Sequence, residues 1–197
     1  MRVIAGEAKG RPLKAVPGMN TRPTTDKVKE AIFSMIGPYF DGGTALDLFA
    51  GTGGLGIEAL SRGMDKAVFI DSERQSILTV RRNVEAARVS DKAEIYCNTA
   101  ERALKLLEKR QAAFRLAFLD PPYRLKHADL LMKEMHDRRL LERGARIVVE
   151  HEAGHLYPEQ VPGFRQLRHA LYGETAVTIY EYEGLSEAKE EFPDEFA

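Results

Sequence analysis

The sequence predicts an α/β fold: a doubly wound, mostly parallel seven-stranded sheet with an antiparallel edge strand and a short N-terminal extension. Short runs rich in β-branched and aromatic residues alternate with segments whose apolar residues recur at helical spacing, as in strand–helix–strand units. A glycine-rich turn follows the first of these runs. Two late runs are joined by Gly173 without a helix, which predicts an antiparallel pair at the sheet edge. With 197 residues, 44% of them hydrophobic and 30% charged, the chain suits one globular domain.

The predicted elements follow one another from residue 23 to residue 182. A helix is expected after Pro23, because Thr24 or Thr25 can begin it and apolar residues from Val28 to Ile36 keep helical spacing. Five strands then alternate with helices, and two further strands complete the sheet. The predicted strands are 44–50, 66–71, 92–97, 115–120, 145–151, 164–171 and 174–182.

Charge is distributed unevenly along the chain, although the formal net charge is only −1. Residues 1–30 carry seven basic and three acidic side chains, whereas residues 181–197 carry seven acidic side chains and one basic. We therefore expect a basic arm over 1–22 that can form a hairpin, one α/β domain over 23–183, and an acidic, disordered tail over 184–197. A basic arm suits a polyanionic partner, and a merely solvated arm explains the charge equally well.

Several classes of site are excluded by what the sequence lacks. The single cysteine, Cys97, excludes an internal disulfide and a cysteine-cluster metal site. His151 and His155 are four residues apart, but Gly154 and Pro158 argue against the helix that would pair them, so no metal is expected. No apolar run reaches the about 18–20 residues that span a bilayer, and the N-terminus does not resemble a signal peptide. A cytoplasmic protein without a membrane partner is expected.

The glycine-rich turn lies in LDLFAGTGGLG, residues 46–56. Gly51, Gly53 and Gly56 satisfy G-x-G-x-x-G between a strand and a helix, and Asp71 ends the next strand twenty residues after Gly51. Glycines let the backbone approach a ligand closely, and an acid at this spacing can accept hydrogen bonds from ribose hydroxyls. The pattern indicates a nucleoside ligand, and a turn selected only for strand–helix packing is the alternative.

Asp47 discriminates between two nucleoside ligands. This acid would face the diphosphate of a nicotinamide dinucleotide with the wrong charge, whereas it can hold the ammonium group of S-adenosylmethionine directly or through water. No lysine follows the glycines, which excludes a phosphate-binding loop of the G-K-S/T kind. The sequence therefore favours the methyl donor over the dinucleotide.

The stretch FLDPPYRL, residues 118–125, ends the fourth predicted strand with an acid, two prolines and an aromatic residue. In a doubly wound sheet this turn lies at the same edge as the glycine-rich turn. Asp120 and a backbone carbonyl held by Pro121 and Pro122 could accept the hydrogens of an exocyclic amine, while Tyr123 stacks on its base. Asp120 is expected to be exposed, with a pKa near ~3.9. An ordinary strand end with a rigid turn is the alternative.

The chain resembles the class I S-adenosylmethionine-dependent methyltransferases, and most closely the bacterial 16S rRNA guanine-N2 methyltransferases of the RsmD family. The glycine-rich turn and Asp-Pro-Pro-Tyr are shared by many methyltransferases, whereas the Arg-Pro-Thr-Thr-Asp segment joined to them is more specific. The resemblance implies a Rossmann-like methyltransferase domain, with Asp120, Pro121, Pro122 and Tyr123 as catalytic residues. The matching stretches are VIAGEAKGRPL (3–13), TRPTTDKVKEAIFSMI (21–36), LDLFAGTGGLGIEALSRG (46–63), FID (69–71), FLDPPY (118–123) and YGETAVTIY (172–180).

The resemblance also implies ligand contacts. Asn98 stands where many relatives have aspartate, and its side-chain oxygen can still bond an adenine amine. Glu7-Ala8-Lys9 replaces an aromatic residue and an arginine of some relatives, which bears on how the arm contacts RNA. The implied residues for S-adenosylmethionine are Asp47, Phe49, Gly51, Gly53, Asp71, Ser72, Asn98, Thr99 and Ala100; those for RNA are Lys9, Arg11, Arg22 and Thr24.

The implied partner is 16S rRNA within a small-subunit assembly intermediate, bound by a monomer. Two other functions stay open. An adenine-N6 DNA methyltransferase also uses Asp-Pro-Pro-Tyr, although about 45 residues before the sheet leave little room for a DNA-reading region. A catalytically silent RNA-binding module would be expected to lose the glycines or the acid, and both are present. A protein glutamine methyltransferase would have Asn at position 120.

Overall fold

The computed structural model describes residues 1–18, 25–122 and 126–184. Within them, eight strands form one sheet in the order β3-β2-β1-β4-β5-β8-β7-β6. The strands are β1 Thr44–Asp47, β2 Lys66–Asp71, β3 Ala93–Cys97, β4 Phe114–Leu119, β5 Leu141–Glu152, β6 Gln160–Val161, β7 Phe164–Tyr172 and β8 Thr175–Tyr182. The helices are α1 Asp26–Ile36, α2 Gly54–Ser61, α3 Arg74–Ala86, α4 Ala100–Lys109 and α5 Ala128–Asp137.

The predicted fold class is confirmed, with three corrections to the strands. Strands β1 to β5 are parallel, and β8 lies between β5 and β7, antiparallel to both. The sheet has eight strands and not seven, because Gly163 turns the chain and the two-residue β6 pairs back on β7. Strand β5 begins four residues earlier than predicted, where Leu141 pairs with Phe114. The first strand ends at Asp47, before the glycine-rich turn.

Two hydrophobic cores lie on opposite faces of the sheet. The first packs α4 and α5 against the sheet, and the second packs α1, α2 and α3 against the other face. Neighbouring strand residues alternate between them: Leu46 is in the first core and Ala45 in the second, as are Val149 and Val148. The alternation fixes which side chains at the strand ends face which helices.

Local signals begin two of the helices. Thr25 precedes α1 and its hydroxyl accepts the Val28 N–H at 3.2 Å, while the Thr99 hydroxyl accepts the Arg102 N–H at 3.4 Å at the start of α4. Helix α2 is different, since all its residues are buried. A helix buried on every side needs a cover on its outer face.

The N-terminal segment provides that cover. Arg2 and Pro12 form an antiparallel bridge, and the Gly10 N–H donates to the Val3 carbonyl at 2.8 Å, so the chain doubles back. The segment is hydrogen-bonded to α2, because the Ala8 N–H donates to the hydroxyl of Ser61, the last residue of that helix, at 2.9 Å. Part of the predicted basic arm therefore covers α2. The predictions for Arg22, Thr24, Tyr123 and the tail beyond Gly184 lie outside the described residues.

No helix in the described part of the chain is long and apolar enough to cross a bilayer.

Candidate active site

The carboxyl ends of the parallel strands bring acidic side chains to one edge of the sheet, here called the rim. Asp47 is the last residue of β1 and Asp71 the last of β2. Asp120 directly follows β4, and Glu150 lies near the end of β5. Crevices at the carboxyl ends of such sheets are where doubly wound proteins bind ligands.

The glycine-rich turn is built for close approach of a ligand. Gly51 and Gly53 have positive φ angles of 54° and 78°, which side chains with a Cβ adopt reluctantly. A Cβ at Gly51 would have nothing within 4 Å, so this backbone faces open space. A Cβ at Gly56 would instead meet the Phe69 ring at 2.4 Å. The first glycine therefore leaves room at the rim, whereas the third is required by helix–strand packing.

Asp71 fastens the turn to the neighbouring strand. Its Oδ2 accepts the Gly51 N–H at 2.8 Å, and its Oδ1 accepts the Glu73 N–H at 2.8 Å. Each carboxylate oxygen has a second lone pair, so both can still accept a hydrogen bond from a ligand. This carboxylate can hold the turn and contact ribose hydroxyls at once.

Asp47 is a buried acid, 2% exposed, that also organises α2. Its Oδ2 accepts the Gly56 N–H, in the first turn of that helix, at 3.1 Å. Burial raises the pKa of Asp47 to about 7, the Gly56 hydrogen bond opposes the rise, and the charge of Asp71 adds to it. A cationic ligand beside this carboxyl group would stabilise its ionised form, which burial disfavours.

Asp120 differs from the sequence-based expectation of an exposed acid. The carboxyl group is buried, although the residue keeps some exposed surface. Burial raises the pKa of Asp120 well above its usual value, and the charges of Glu150 and Asp47 raise it further. Pro121 is buried and Pro122 exposed, so the first proline anchors the turn. The expectation of an ordinary pKa was wrong because sequence alone reveals neither the burial of this carboxyl group nor the neighbouring acids.

The turn after β3 reaches the same rim. The Asn98 N–H donates to the Asp71 carbonyl at 2.9 Å, and the Asn98 side-chain oxygen accepts the Thr99 N–H at 3.0 Å. That oxygen has one lone pair left for a ligand. The other residues predicted here are Ser72, which is exposed, Ala100, which is buried, and Phe49, which packs partly buried against the first core.

The two described RNA candidates lie away from the rim. Lys9 is exposed near the contact in which the Glu7 N–H donates to the Ser61 carbonyl at 2.9 Å. A guanidinium nitrogen of Arg11 donates to the Ala86 carbonyl at 3.3 Å. Ser61 and Ala86 end α2 and α3, which run about 12 and 19 Å back from the rim at 1.5 Å per residue. Any RNA that contacts these side chains and Asp120 must therefore extend across the N-terminal segment that covers α2 and along α3.

Sequence reasoning missed two polar residues that connect the site to its surroundings. Asn83, 1% exposed, donates to the Thr52 carbonyl at 2.8 Å and to the Lys14 carbonyl at 3.0 Å, and so ties the glycine-rich turn to the N-terminal segment. Glu150, 6% exposed, lies beside Asp120. A signal for Glu150 is visible in VVEHE, where an acid interrupts a buried strand.

The site fits S-adenosylmethionine by the chemistry of its side chains and by its shape. A buried carboxyl group of high pKa suits a cation, Asp71 suits hydroxyls, and Gly51 opens the backbone. Nothing in the described ranges 1–18, 25–122 and 126–184 groups three His, Cys, Asp or Glu side chains as metal ligands.

The chain is similar to several known proteins along most of its length. The family model described as Conserved hypothetical protein 95 matches residues 1–181. A Bacillus subtilis (strain 168) protein named "Putative rRNA methyltransferase YlbH" is 50% identical over 184 residues, 93% of this chain and 100% of that protein. Ribosomal RNA small subunit methyltransferase D of Escherichia coli (strain K12) is 29% identical over 95% of this chain and 93% of its own length. The solved structure "Putative methyltransferase yhhF from Escherichia coli" has a TM-score of 0.78 and 30% identity, covering 93% of this chain and 98% of that chain.

Proposed function

Since the chain belongs to the Conserved hypothetical protein 95 family, the RsmD family, we propose that it transfers a methyl group from S-adenosylmethionine to the exocyclic N2 amine of a guanine in 16S rRNA. The observation that carries the proposal is the meeting of the glycine-rich turn, Asp71 and Asp120 at one rim. The names of the two relatives, both rRNA methyltransferases, support RNA as the substrate class.

The cofactor half of the site consists of the glycine-rich turn and its two flanking acids. S-adenosylmethionine supplies an electrophilic methyl group on a sulfonium. Asp47 offers the counter-charge to the ammonium group, and Asp71 accepts hydroxyl hydrogens beside Gly51. The predicted contacts of Phe49, Gly53, Ser72, Asn98, Thr99 and Ala100 belong to the same proposal.

The base half of the site consists of Asp120 and the prolines. A nucleobase amine is a poor nucleophile because its lone pair is delocalised into the ring. Asp120 and the backbone carbonyl fixed by Pro121 and Pro122 accept the amine hydrogens and turn the lone pair toward the methyl group. The raised pKa of Asp120 also lets this carboxylate take the proton that the amine loses once it is methylated. Tyr123 stacks on the base in this proposal.

The proposed contacts with RNA follow from the basic side chains near the N-terminus. Lys9, Arg11, Arg22 and Thr24 contact phosphates, which position RNA without reading its sequence. A single-stranded or flipped-out guanine then enters the rim. The protein acts in the cytoplasm as a monomer on 16S rRNA within a small-subunit assembly intermediate.

One experiment tests the function. The purified protein is incubated with isotope-labelled S-adenosylmethionine and either naked, unmethylated 16S rRNA or partly assembled small subunits, and nucleosides are then separated and identified by mass spectrometry. We expect labelled N2-methylguanosine, formed about 10²–10³-fold more slowly by the Asp120→Ala variant. Labelled N6-methyladenosine would favour the adenine methyltransferase, and cofactor binding without any labelled nucleoside would contradict the proposal.

A further inference from the structure

We propose that Glu150 accepts the N1–H of the target guanine and so selects guanine over bases whose N1 carries a lone pair. This inference rests on the proposed function, because it concerns the same base in the same site. It assigns substrate selection to a residue outside the Asp-Pro-Pro-Tyr turn.

The sheet places Glu150 directly beside the reacting position. Leu119 of β4 pairs with Val149 of β5, so the residues that follow them, Asp120 and Glu150, are neighbours on adjacent strands. Adjacent strands are about 4.8 Å apart, which is within the span of one base edge. The charge of Glu150 acts on Asp120 strongly enough to raise the pKa of that carboxyl group.

Strand alternation fixes the face that Glu150 occupies. Val148 lies in the second core and Val149 in the first, so Glu150 lies on the side of Val148. By the same alternation Asp47 lies on that side, and its hydrogen bond to Gly56 of α2 agrees with this. The acids of β1 and β5 therefore flank Asp120 on one face of the sheet.

The chemistry of the guanine edge matches two adjacent acceptors. Guanine presents its N1–H beside the N2 amine, so two hydrogen-bond donors face the same direction. An ionised carboxylate is only an acceptor. If Asp120 receives the amine, Glu150 is the acceptor next to it, and adenine or 2-aminopurine would turn an N1 lone pair toward its oxygens.

Burial makes this discrimination strong. Glu150 is 6% exposed, and an unmatched polar contact away from water costs far more than one at the surface. Sites built to hydrogen-bond one substrate group reject analogues that lack it by about 10⁴–10⁵ when the group is fully enclosed. A single contact at a rim should give a smaller factor, about 10²-fold.

The test uses 2-aminopurine, which keeps the C2 amine of guanine and has a lone pair at N1. 16S rRNA is ligated so that the methylated position carries either guanine or 2-aminopurine, in the assembly state that supports methylation. We expect wild-type protein to methylate guanine about 100-fold faster than 2-aminopurine. Glu150→Gln, whose amide can donate to N1, should be slower on guanine and reduce that ratio to about tenfold or less.

Three controls separate this role from a structural one. Glu152→Gln changes an exposed acid two residues further along β5 and should leave the ratio unchanged. Glu150→Asp keeps the acceptor chemistry and should keep selection for guanine even if it is slower. Calorimetry should show that the affinity of each variant for S-adenosylmethionine stays within about twofold of wild type, which reports an intact fold.

The outcomes distinguish the two proposals. Equal rates of wild-type protein on guanine and 2-aminopurine, or an unchanged ratio in Glu150→Gln, would overturn the role of Glu150 and leave guanine methylation standing. If wild-type protein methylates neither base, both proposals fail. If Glu150→Gln does not fold, the wild-type ratio still tests the role, since equal rates on the two bases overturn it.

Discussion

Two groups of buried charged side chains stand out in the part of the protein that the structure describes, and they are built in opposite ways. One, the ion cluster, consists of Lys29, Glu58 and Arg62 and joins α1, α2 and the N-terminal segment. The other, the rim acids, consists of Asp47, Asp120 and Glu150. Both are shielded from water, which makes any charge within them consequential.

In the ion cluster, positive and negative groups satisfy one another. Glu58 lies 3.2 Å from the Lys29 ammonium and 2.8 Å from the Arg62 guanidinium. Its carboxylate also accepts the Ile4 N–H at 2.9 Å and the Ala5 N–H at 3.0 Å. Burial lowers the pKa of Lys29, and Glu58 opposes that change. These contacts attach the N-terminal segment to the domain.

Among the rim acids the charges do not compensate one another, because acidic groups lie side by side. Burial and the charges of its neighbours raise the pKa of Asp120, and burial raises that of Asp47 to about 7. Such perturbed acids concentrate at functional sites, whereas compensated networks maintain structure. The ion cluster should therefore control folding, and the rim acids should control ligand binding and reaction rate.

The largest expected effect is on folding. Glu58→Gln removes the negative charge between two buried cations while keeping the shape of the side chain. We expect the free energy of unfolding to fall by about 3–5 kcal/mol, because an uncompensated buried charge remains. Urea denaturation measures it. Asp137→Asn, which breaks the exposed Lys133–Asp137 pair, is the control and should barely move the midpoint. A similar small shift in both variants would mean that the ion cluster is not structural.

The next effect is on rate and concerns the rim. Asp120→Ala should slow methyl transfer by about 10²–10³-fold, equivalent to about 3–4 kcal/mol of barrier, because a preorganised acceptor at the reacting amine is lost. Asp120→Asn keeps one acceptor oxygen and should be less impaired. Single-turnover rates on 16S rRNA measure this, with cofactor affinity as the control. Full activity of the alanine variant would reduce the Asp-Pro-Pro turn to a strand end.

Asp71 gives an intermediate case, since it lies on the rim and its oxygens already bond backbone N–H groups. Asp71→Ala should weaken S-adenosylmethionine binding by about 1.5–3 kcal/mol, because charged-group hydrogen bonds to the ligand are lost. The loosened Gly51 turn should add to that loss. Calorimetry with wild-type protein and with Asp71→Asn, which keeps one acceptor, measures the effect. Unchanged affinity in the alanine variant would exclude Asp71 from the ligand site.

The last expected effect is a dependence of stability on pH. An acid whose pKa is raised in the folded state stabilises the fold when protonated, so the contribution of Asp47 is present below about pH 4 and is lost as pH rises through about 7. Asp47→Asn cannot ionise. In the absence of ligand, its stability relative to wild type should therefore increase between pH 4.5 and pH 8, roughly the interval between the two pKa values. Urea midpoints across this range measure it, and a constant difference would show that Asp47 is not perturbed.

The same two regions differ in how much of each could be predicted from the sequence. The glycine-rich turn and the acid that follows β4 could be located from residues 46–56 and 118–122, because each depends on a strand followed by a turn. Local signals also gave the helix after Thr25 and the antiparallel β7–β8 pair. The ion cluster could not be found this way, because Lys29 and Glu58 meet through packing between separate helices.

By itself the sequence determined the fold class, the strand–helix alternation, the position of the glycine-rich turn and the residue types at the rim. Those features follow from short-range periodicity and turn chemistry, and both can be recognised in sequence windows of about 20 residues. Only the tertiary structure decided that β8 enters between β5 and β7, that the N-terminal segment covers α2, and that Lys9 and Arg11 lie far from the rim. It also brought Glu150 beside Asp120. Each of these depends on contacts between distant parts of the chain, and burial then sets the charges that such neighbours carry.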